Sequence, residues 1–215
     1  MKLFPRVALL WIVRGAFTLA IAAPLAAEEG WTFQGSSGWA ENLKSRLTIR
    51  QSGFAAIRVD ADYATRPFQE PAYYSLRVGR WRGRSGWEAE LTHHKLYLRN
   101  PPAEVQHFEI THGYNLLVLS HAWEVRRLIV RVGAGAVIPH AESTIRGQPL
   151  GSGYRLSGPV LQAGAEKRFR LGDRWFFSLE GRITTARARV PVAGGEADAP
   201  NTALHGLVGL GYRAP

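Results

Sequence analysis

The sequence of 215 residues contains no cysteine and a single methionine, which is the first residue. Without cysteine the chain can form neither disulfides nor thiolate metal sites. Long hydrophobic runs are also missing: after residue 27 none approaches the roughly 20 residues that a membrane-spanning helix needs. If this chain crosses a membrane, it must therefore cross it with β-strands.

Acidic residues are few relative to basic ones. The chain has 17 Asp and Glu against 27 Lys and Arg, which gives a formal net charge of +10. A basic chain can indicate nucleic-acid binding, but no segment has the pattern of a clustered Lys/Arg helix, and the N-terminus predicts export. We therefore expect anionic lipid as the partner, and no nucleic acid.

The N-terminus has the order of segments found in a secretory signal. Cations precede an apolar run at 15–23, and small residues precede Glu28. The run is too short to serve as a stop-transfer helix. We therefore predict a signal peptide over residues 1–27, a periplasmic N-terminal segment over 28–53 and a β-barrel over 54–215.

From Phe54 onward apolar residues recur at every second position, which is the period of a β-strand with two different faces. Eight such stretches follow one another, at residues 55–63, 73–79, 87–92, 108–118, 127–138, 161–166, 175–183 and 204–212. Short turns are predicted at 82–86, 121–124 and 172–173, and longer connections at 99–105, 143–153 and 192–201. Short periplasmic turns that alternate with longer outer loops are typical of outer-membrane barrels.

The strand face opposite the apolar residues carries many charges: Arg58, Asp60, Asp62, Arg77, Glu88, Glu90, Glu109, Arg131, Glu166, Glu180 and Arg182. A soluble sheet rarely buries so many ionisable groups, whereas the interior of a membrane barrel can be polar. Aromatic residues near strand ends match an interfacial girdle: Trp81, Trp87, Trp123, Trp175 and Tyr212.

These patterns predict an all-β protein, a single eight-stranded antiparallel outer-membrane β-barrel with both termini in the periplasm. The soluble alternative is a secreted lipocalin-like barrel, whose apolar face would lie inside. A barrel of eight strands is just wide enough for side chains to fill its interior. We therefore expect the interior charges to pair with one another, which disfavours a small-solute channel.

Polar residues at outward positions mark a candidate site, because lipid tails should meet apolar side chains there. Pairing the third and fourth predicted strands places His93 opposite His112 at about 5 Å, with Lys95 on the same face. The next strand adds His140 and Glu142 in the outward phase. Imidazoles with a carboxylate could bind a metal or transfer protons, or they could simply contact lipopolysaccharide phosphates at headgroup height.

Several short blocks follow one another in a fixed order: Thr92-His93-His94-Lys95, Gly113-Tyr114-Asn115-Leu116-Leu117, Gly133-Ala134-Gly135-Ala136-Val137-Ile138-Pro139-His140-Ala141-Glu142 and Gly158-Pro159. With Pro71-Ala72-Tyr73-Tyr74 and Arg80-Trp81, they resemble the rhizobial lipid A oxidase group over roughly Pro71 to Arg182. The resemblance implies an outer-membrane barrel of the OmpA/OmpW type. It also implies oxidation of the proximal glucosamine of lipid A to 2-aminogluconate with oxygen.

The functional prediction combines this resemblance with the outward polar positions. The expected catalytic residues are His93, His140 and Glu142, and the expected substrate-binding residues are Lys95, His112 and Asn115. Lys95 would hold a phosphate. The expected partner is lipid A or lipopolysaccharide in the bacterial outer membrane, with the protein as a monomer, while the sequence identifies no cofactor and no metal. The alternative is a non-enzymatic barrel that has a structural role or binds lipopolysaccharide.

Overall fold

A computed structural model describes residues 28–215, so the predicted signal peptide at 1–27 lies outside the described residues. Residues 28–215 form the strands β1 (Glu28–Leu43), β2 (Ser45–Gln51), β3 (Ile57–Ala61), β4 (Tyr63–Ala64), β5 (Tyr74–Gly83), β6 (Ser85–His93), β7 (Leu96–Leu98), β8 (Val105–Ile110), β9 (Tyr114–Val125), β10 (Leu128–Pro139), β11 (Glu142–Ile145), β12 (Gln148–Gly151), β13 (Pro159–Leu171), β14 (Trp175–Val192) and β15 (Gly195–Ala214). Within this range no helix is long and apolar enough to cross a membrane.

Eight of these strands form a closed antiparallel barrel. They pair in the order β1, β5, β6, β9, β10, β13, β14 and β15, and β15 pairs back to β1. Both described chain ends lie at the same end of the barrel as the short turns, because Glu28 pairs with Gly83 and Trp31 with Ala214. The predicted fold class is therefore confirmed.

The first barrel strand is not the one that the alternation predicts. Residues 28–43 form β1 and pair with both β5 and β15, so the expected periplasmic segment at 28–53 is wrong. Residues 57–61 form β3, which pairs with β2 beyond the outer end of the barrel. The inward side of β1 carries Gln34, Ser36 and Gly38 instead of charges, and such small polar residues are typical of loops. The outward side of β1 includes Trp31, Phe33 and Trp39.

The predicted turn at 121–124 is also wrong, because these residues lie inside β9. The reversal after β9 falls at Arg126 and Arg127, which both have left-handed backbone angles, with φ of 49° and 70°. The other two reversals at this end, at Arg84 and 172–174, agree with the predicted short turns.

The long connections at the opposite end form a folded cap, not open loops. The cap consists of β2, β3, the separate sheet β12-β11-β8-β7-β4 and the outer ends of β14 and β15. Its interior is apolar, with Leu47, Ile57, Phe108, Ile145 and Val190 among the buried residues. The connections predicted at 143–153 and 192–201 are thus mostly strand, and only Ala193 and Gly194 separate β14 from β15.

Strand β14 runs through both environments, and the polarity of its faces reverses along the way. In the barrel its inward side carries Arg182 and its outward side Ile183, whereas in the cap the inward side carries Val190 and the outward side Arg189. Inward charge with outward apolar residues suits lipid, and the opposite arrangement suits water. The change falls near Thr185, which marks the outer boundary of the lipid-facing surface.

The outside of the barrel presents an apolar belt, with Leu76, Leu119, Leu161, Leu179 and Leu210 among its exposed residues. Four tryptophans surround the short-turn end as an aromatic girdle: Trp31, Trp87, Trp123 and Trp175. This belt around a charged interior is the surface of a transmembrane β-barrel, which in bacteria belongs to the outer membrane.

Trp81 does not belong to the predicted aromatic girdle. It is 1% exposed and points inward, with the Arg168 guanidinium 5.4 Å from its ring centroid. It shares the inward phase of β5 with Arg77, and Gly86 on β6 leaves room for its ring.

Candidate functional site

Four arginines and four glutamates fill the barrel interior as one ion-pair network: Arg77, Arg131, Arg168, Arg182, Glu88, Glu90, Glu166 and Glu180. Arg77 lies 2.9 Å from Glu90 and 2.8 Å from Glu180, so it joins β5 to β6 and β14. Arg131 lies 2.8 Å from Glu88. Buried charges of this kind are tolerated only as satisfied, balanced networks. The lumen is occupied by paired side chains, which disfavours the channel hypothesis.

Several charges predicted for the interior lie in the cap instead: Arg58, Asp60, Asp62 and Glu109. Arg58 and Asp60 are exposed on β3, and Asp62 forms an ion pair with Arg99. Their alternation is real, but the strands that carry them are not barrel strands. Arg168 escaped prediction because the expected sixth strand stopped at residue 166, whereas β13 continues to Leu171.

Three of the predicted site residues converge on the outer rim, where the barrel leaves the lipid-facing zone. His112 Nδ1 lies 3.1 Å from Glu142 Oε1, and the rings of His112 and His140 have centroids 4.9 Å apart. One ligand atom from each of the three residues lies within 4.8 Å of the other two. The side chains of His112 and Glu142 are 52% and 41% exposed, so a ligand can reach the cluster. We call these three residues the rim cluster.

The local backbone explains why these residues meet. The single strand predicted over 108–118 is two strands, β8 and β9, separated at 111–113, where Gly113 has a φ of 129°. Its carbonyl accepts a hydrogen bond of 2.9 Å from the His140 backbone N–H. This break turns His112 toward His140 and Glu142.

Tyr154, which the sequence did not point out, holds the rim cluster from the side. Its ring stands edge-on to His140 with centroids 4.8 Å apart, and its hydroxyl donates a 2.7 Å hydrogen bond to the His112 carbonyl. Tyr154 lies in the 152–158 connection, where no periodic pattern signals a role. The tyrosine therefore fixes the two histidines relative to each other.

A second possible ligand set shares Glu142. His107, Glu109 and Glu142 also place ligand atoms within 4.8 Å of one another. His107 Nε2 lies 3.6 Å from Glu109 Oε2. Glu109 on β8 is the cross-strand neighbour of Glu142 on β11. This set has one imidazole and two carboxylates, whereas the rim cluster has two imidazoles.

His93 does not face His112 as predicted. It lies beside Asn115, with His93 Nδ1 2.8 Å from Asn115 Oδ1, and its ring stacks on Tyr74 with centroids 5.2 Å apart. Asn115 also donates a 3.2 Å hydrogen bond to the Ile138 carbonyl, next to the strand end that carries His140. His93 and Asn115 therefore form a pair just below the rim cluster on the outward face.

Lys95 is not on the outer face, so its predicted position is wrong. The side chain is fully buried, and its Nζ donates a 2.5 Å hydrogen bond to the Gln69 carbonyl. Burial lowers the pKa of Lys95, while Glu70 acts in the opposite direction. The strand alternation ends at His93, and residues 94–95 turn into the cap before β7 begins. Lys95 therefore anchors the 66–71 connection and is unavailable to a lipid phosphate.

Other cations lie at the outer rim, where the sequence predicted Lys95. A groove of ≈ 610 Å³ at the outer rim is lined by Arg155, Arg187 and Arg189 and by the acids Glu196 and Asp198. Arg187 donates a 2.9 Å hydrogen bond to Asp198, and Arg189 lies 3.7 Å from Glu196. We call this the arginine groove.

The arginine groove combines charge with apolar surface. Among residues 28–215, Arg155 has no ion-pair partner. It directly follows Tyr154, which contacts the rim cluster. Leu156 lies next in the chain and is 72% exposed, and Pro159 begins β13 at the edge of the lipid-facing belt. A phosphorylated lipid needs both surfaces, because its headgroup is anionic and its tails are apolar.

No protein-family model matches the sequence, and no characterised protein aligns with it significantly. Solved outer-membrane barrels are similar in fold at low identity. Neisserial surface protein A has 10% identity and a TM-score of 0.42 over 86% of this chain and 98% of its own. OprG from Pseudomonas aeruginosa has 10% identity and a TM-score of 0.43 over 88% and 98%. AlkL has 13% identity and a TM-score of 0.46 over 89% and 93%.

Proposed function

We propose that this protein modifies lipid A in the outer leaflet, and that it oxidises the proximal glucosamine to 2-aminogluconate as a monomeric outer-membrane enzyme. The observation that supports the proposal is the rim cluster, in which two imidazoles and a carboxylate lie together at the outer end of the barrel. Within residues 28–215, the large exposed side chains of the belt are mainly apolar, so the rim cluster differs from the surface below it. In the proposed complex the sugar of lipid A would lie at the height of the rim cluster.

Substrate binding follows from the arginine groove beside the rim cluster. Arg155, Arg187 and Arg189 supply cations for phosphate oxygens, and guanidinium groups suit that geometry. Leu156 and Pro159 offer apolar surface for the first part of an acyl chain. A lipid held this way would present its sugar toward Tyr154 and the rim cluster.

The chemistry requires a base at the anomeric hydroxyl and an acceptor for electrons. The anomeric C–H and O–H bonds break and a C=O bond forms, while two electrons and two protons pass to dioxygen and give hydrogen peroxide. Water then opens the resulting lactone to the acid. The His112–Glu142 pair suits the proton transfer, because the carboxylate orients the imidazole. His93 is only 5% exposed and is held by Asn115, so its part would be to support this wall of the site and not to contact the sugar directly.

Mass spectrometry of lipid A tests the proposal. The gene is expressed in a bacterial host that makes a proximal glucosamine with a free anomeric hydroxyl, and lipid A is compared with that of the same host without the gene. We expect a new species that has gained one oxygen atom on the proximal sugar.

Two histidine variants sharpen the comparison. His140→Ala should abolish the new species, whereas His121→Ala should preserve it, because His121 packs on Trp87 near the other end of the barrel. An unchanged spectrum despite a folded, abundant barrel would refute the oxidase proposal. It would favour the non-enzymatic barrel that binds lipopolysaccharide through the arginine groove.

A further inference from the structure

We propose that His112, His140 and Glu142 bind one divalent first-row transition metal ion at the outer rim. Two imidazoles and one carboxylate are the ligand set of many iron and zinc sites, and they leave positions free for water, oxygen or substrate. The use of this metal in oxidation rests on the proposed function, and in the metal-bound site His112 and Glu142 would be ligands and not the proton-transfer pair. Metal binding itself rests only on the three side chains.

The distances fit a metal site that closes on its ion. Ligand atoms bonded to one metal at about 2.0–2.2 Å lie about 3 Å apart. His112 Nδ1 and Glu142 Oε1 are already 3.1 Å apart. The ligand atoms of all three residues lie within 4.8 Å of one another, so they must move closer together to bind one ion.

The surroundings hold these ligands without tying up their metal-binding atoms. The backbone contact from His140 to Gly113 and the Tyr154 hydroxyl contact to the His112 carbonyl fix the main chain at both histidines. His140 Nδ1 is buried and has no hydrogen-bond partner among the described residues. A buried imidazole nitrogen without a hydrogen-bond partner costs free energy. A bound metal ion would give this nitrogen a partner.

The donor types select the class of metal. Calcium and magnesium prefer six or more oxygen ligands, which two imidazoles do not supply. Imidazole with carboxylate suits iron, manganese, cobalt and zinc. Iron, manganese or cobalt bound there would also offer a route for electrons from sugar to dioxygen, whereas zinc has no redox chemistry.

Metal titration of the purified chain tests the assignment. The full-length protein is folded in detergent micelles, freed of metal with a chelator and titrated with Co²⁺, whose visible absorption reports imidazole ligation, and then with Zn²⁺. We expect one equivalent of bound metal. His112→Ala and His140→Ala should each weaken Co²⁺ binding by more than about tenfold and change the visible spectrum.

Two controls separate this site from its rivals. His121→Ala should bind like the wild type, and so should His107→Ala, because His107 belongs only to the neighbouring set with Glu109. Circular dichroism is used to check that each variant is folded. The assignment is overturned if the folded wild type binds no metal, if His121→Ala loses binding equally, or if His107→Ala loses it while His140→Ala keeps it.

The metal site and the oxidase proposal can fail separately. Bound metal with unchanged lipid A would support the site and refute the oxidation. Oxidised lipid A with no metal uptake would refute the site and leave the proposed function standing.

Discussion

His112 Nδ1, in the break between β8 and β9, lies 3.1 Å from Glu142 Oε1 at the start of β11. The charge of Glu142 should matter more than its size, since a carboxylate both orients an imidazole and ligates a metal. We expect Glu142→Gln to weaken Co²⁺ binding by about tenfold or more and to reduce the oxidised lipid A species. Glu104→Gln, at an exposed position before β8, should leave both unchanged; equal effects of the two substitutions would argue against the rim cluster.

Arg155 should contribute to substrate capture. An exposed cation at headgroup height gives a modest, salt-dependent attraction to phosphate. We expect Arg155→Ala to lower conversion of limiting lipid A by about two- to fivefold at low salt, corresponding to about 0.4–1 kcal/mol. Lipid A conversion in mixed micelles at several salt concentrations measures this. Arg58→Ala, on exposed strand β3, is the matched control, and an equal loss there would show a nonspecific effect of charge.

Lys95 should prove structural. Lys95→Met keeps the aliphatic length but leaves the Gln69 carbonyl without its 2.5 Å donor. We expect a cost of about 1–3 kcal/mol in the free energy of unfolding, and no loss of lipid A oxidation in the folded fraction. Urea unfolding in micelles and lipid A mass spectrometry measure the two quantities. A selective loss of oxidation with unchanged stability would restore Lys95 to the site.

The interior network should be sensitive to the loss of single charges. Arg131 lies 2.8 Å from Glu88 and 2.9 Å from Glu180, and its side chain is fully buried. We expect Arg131→Met to destabilise the barrel by about 3–5 kcal/mol, because the substitution leaves buried carboxylates without a cationic partner. Arg127→Met, in the exposed turn after β9, provides the comparison in urea unfolding. A small effect of Arg131→Met would mean that water or protons readily replace its charge.

Stability should fall with acid because of His94, which lies just beyond the end of β6. Burial lowers the pKa of His94 to about 3, and Arg182, His93 and Lys95 add to the effect. The unfolded chain binds a proton near pH 6.5 and the folded chain does not, so stability is full above that pH and declines below it.

We expect this histidine to cost about 2–3 kcal/mol between about pH 7 and about pH 4.5. His94→Gln keeps an amide that can reach Asn42, which now lies 3.0 Å from His94 Nε2, and should flatten the pH profile of urea unfolding. His121→Gln should leave the profile as it is. An unchanged slope in His94→Gln would assign the acid sensitivity to other groups.

Most of the barrel follows from strand periodicity. Alternation identified seven of the eight barrel strands, and the inward phase of Arg77, Glu90 and Arg182 agrees with the structure. The same rule misplaced β3, because an alternating strand in the cap has the same period as one in the membrane. It also passed over β1, where Gln34 and Ser36 replace the expected inward charges. Periodicity reports two different faces, but not the solvent on either side.

The candidate site was predictable only in part. Extending the outward phase of β10 past Pro139 pointed to His140 and Glu142, which lie close together although Glu142 already belongs to β11. The position of His112 beside them depends on the break at 111–113, which a local pattern does not reveal. Tyr154 and Arg155 come from an irregular connection, and their contacts are tertiary. Lys95 was misplaced for the opposite reason: the alternation in the sequence continues to residue 95, although the strand β6 ends at His93.

The reversal of polarity along β14 fixes the vertical register of the whole molecule. If the barrel sank by two residues along β14, Arg187 would enter the edge of the hydrocarbon, where a charge costs up to about 1 kcal/mol, and the cost would rise with further depth. If it rose by the same step, Ile183 would leave the lipid for water. Both displacements are opposed, so the barrel stays at one level. The imidazoles of the rim cluster are then held at a constant height, so under the proposed function a lipid would need only lateral motion to reach them.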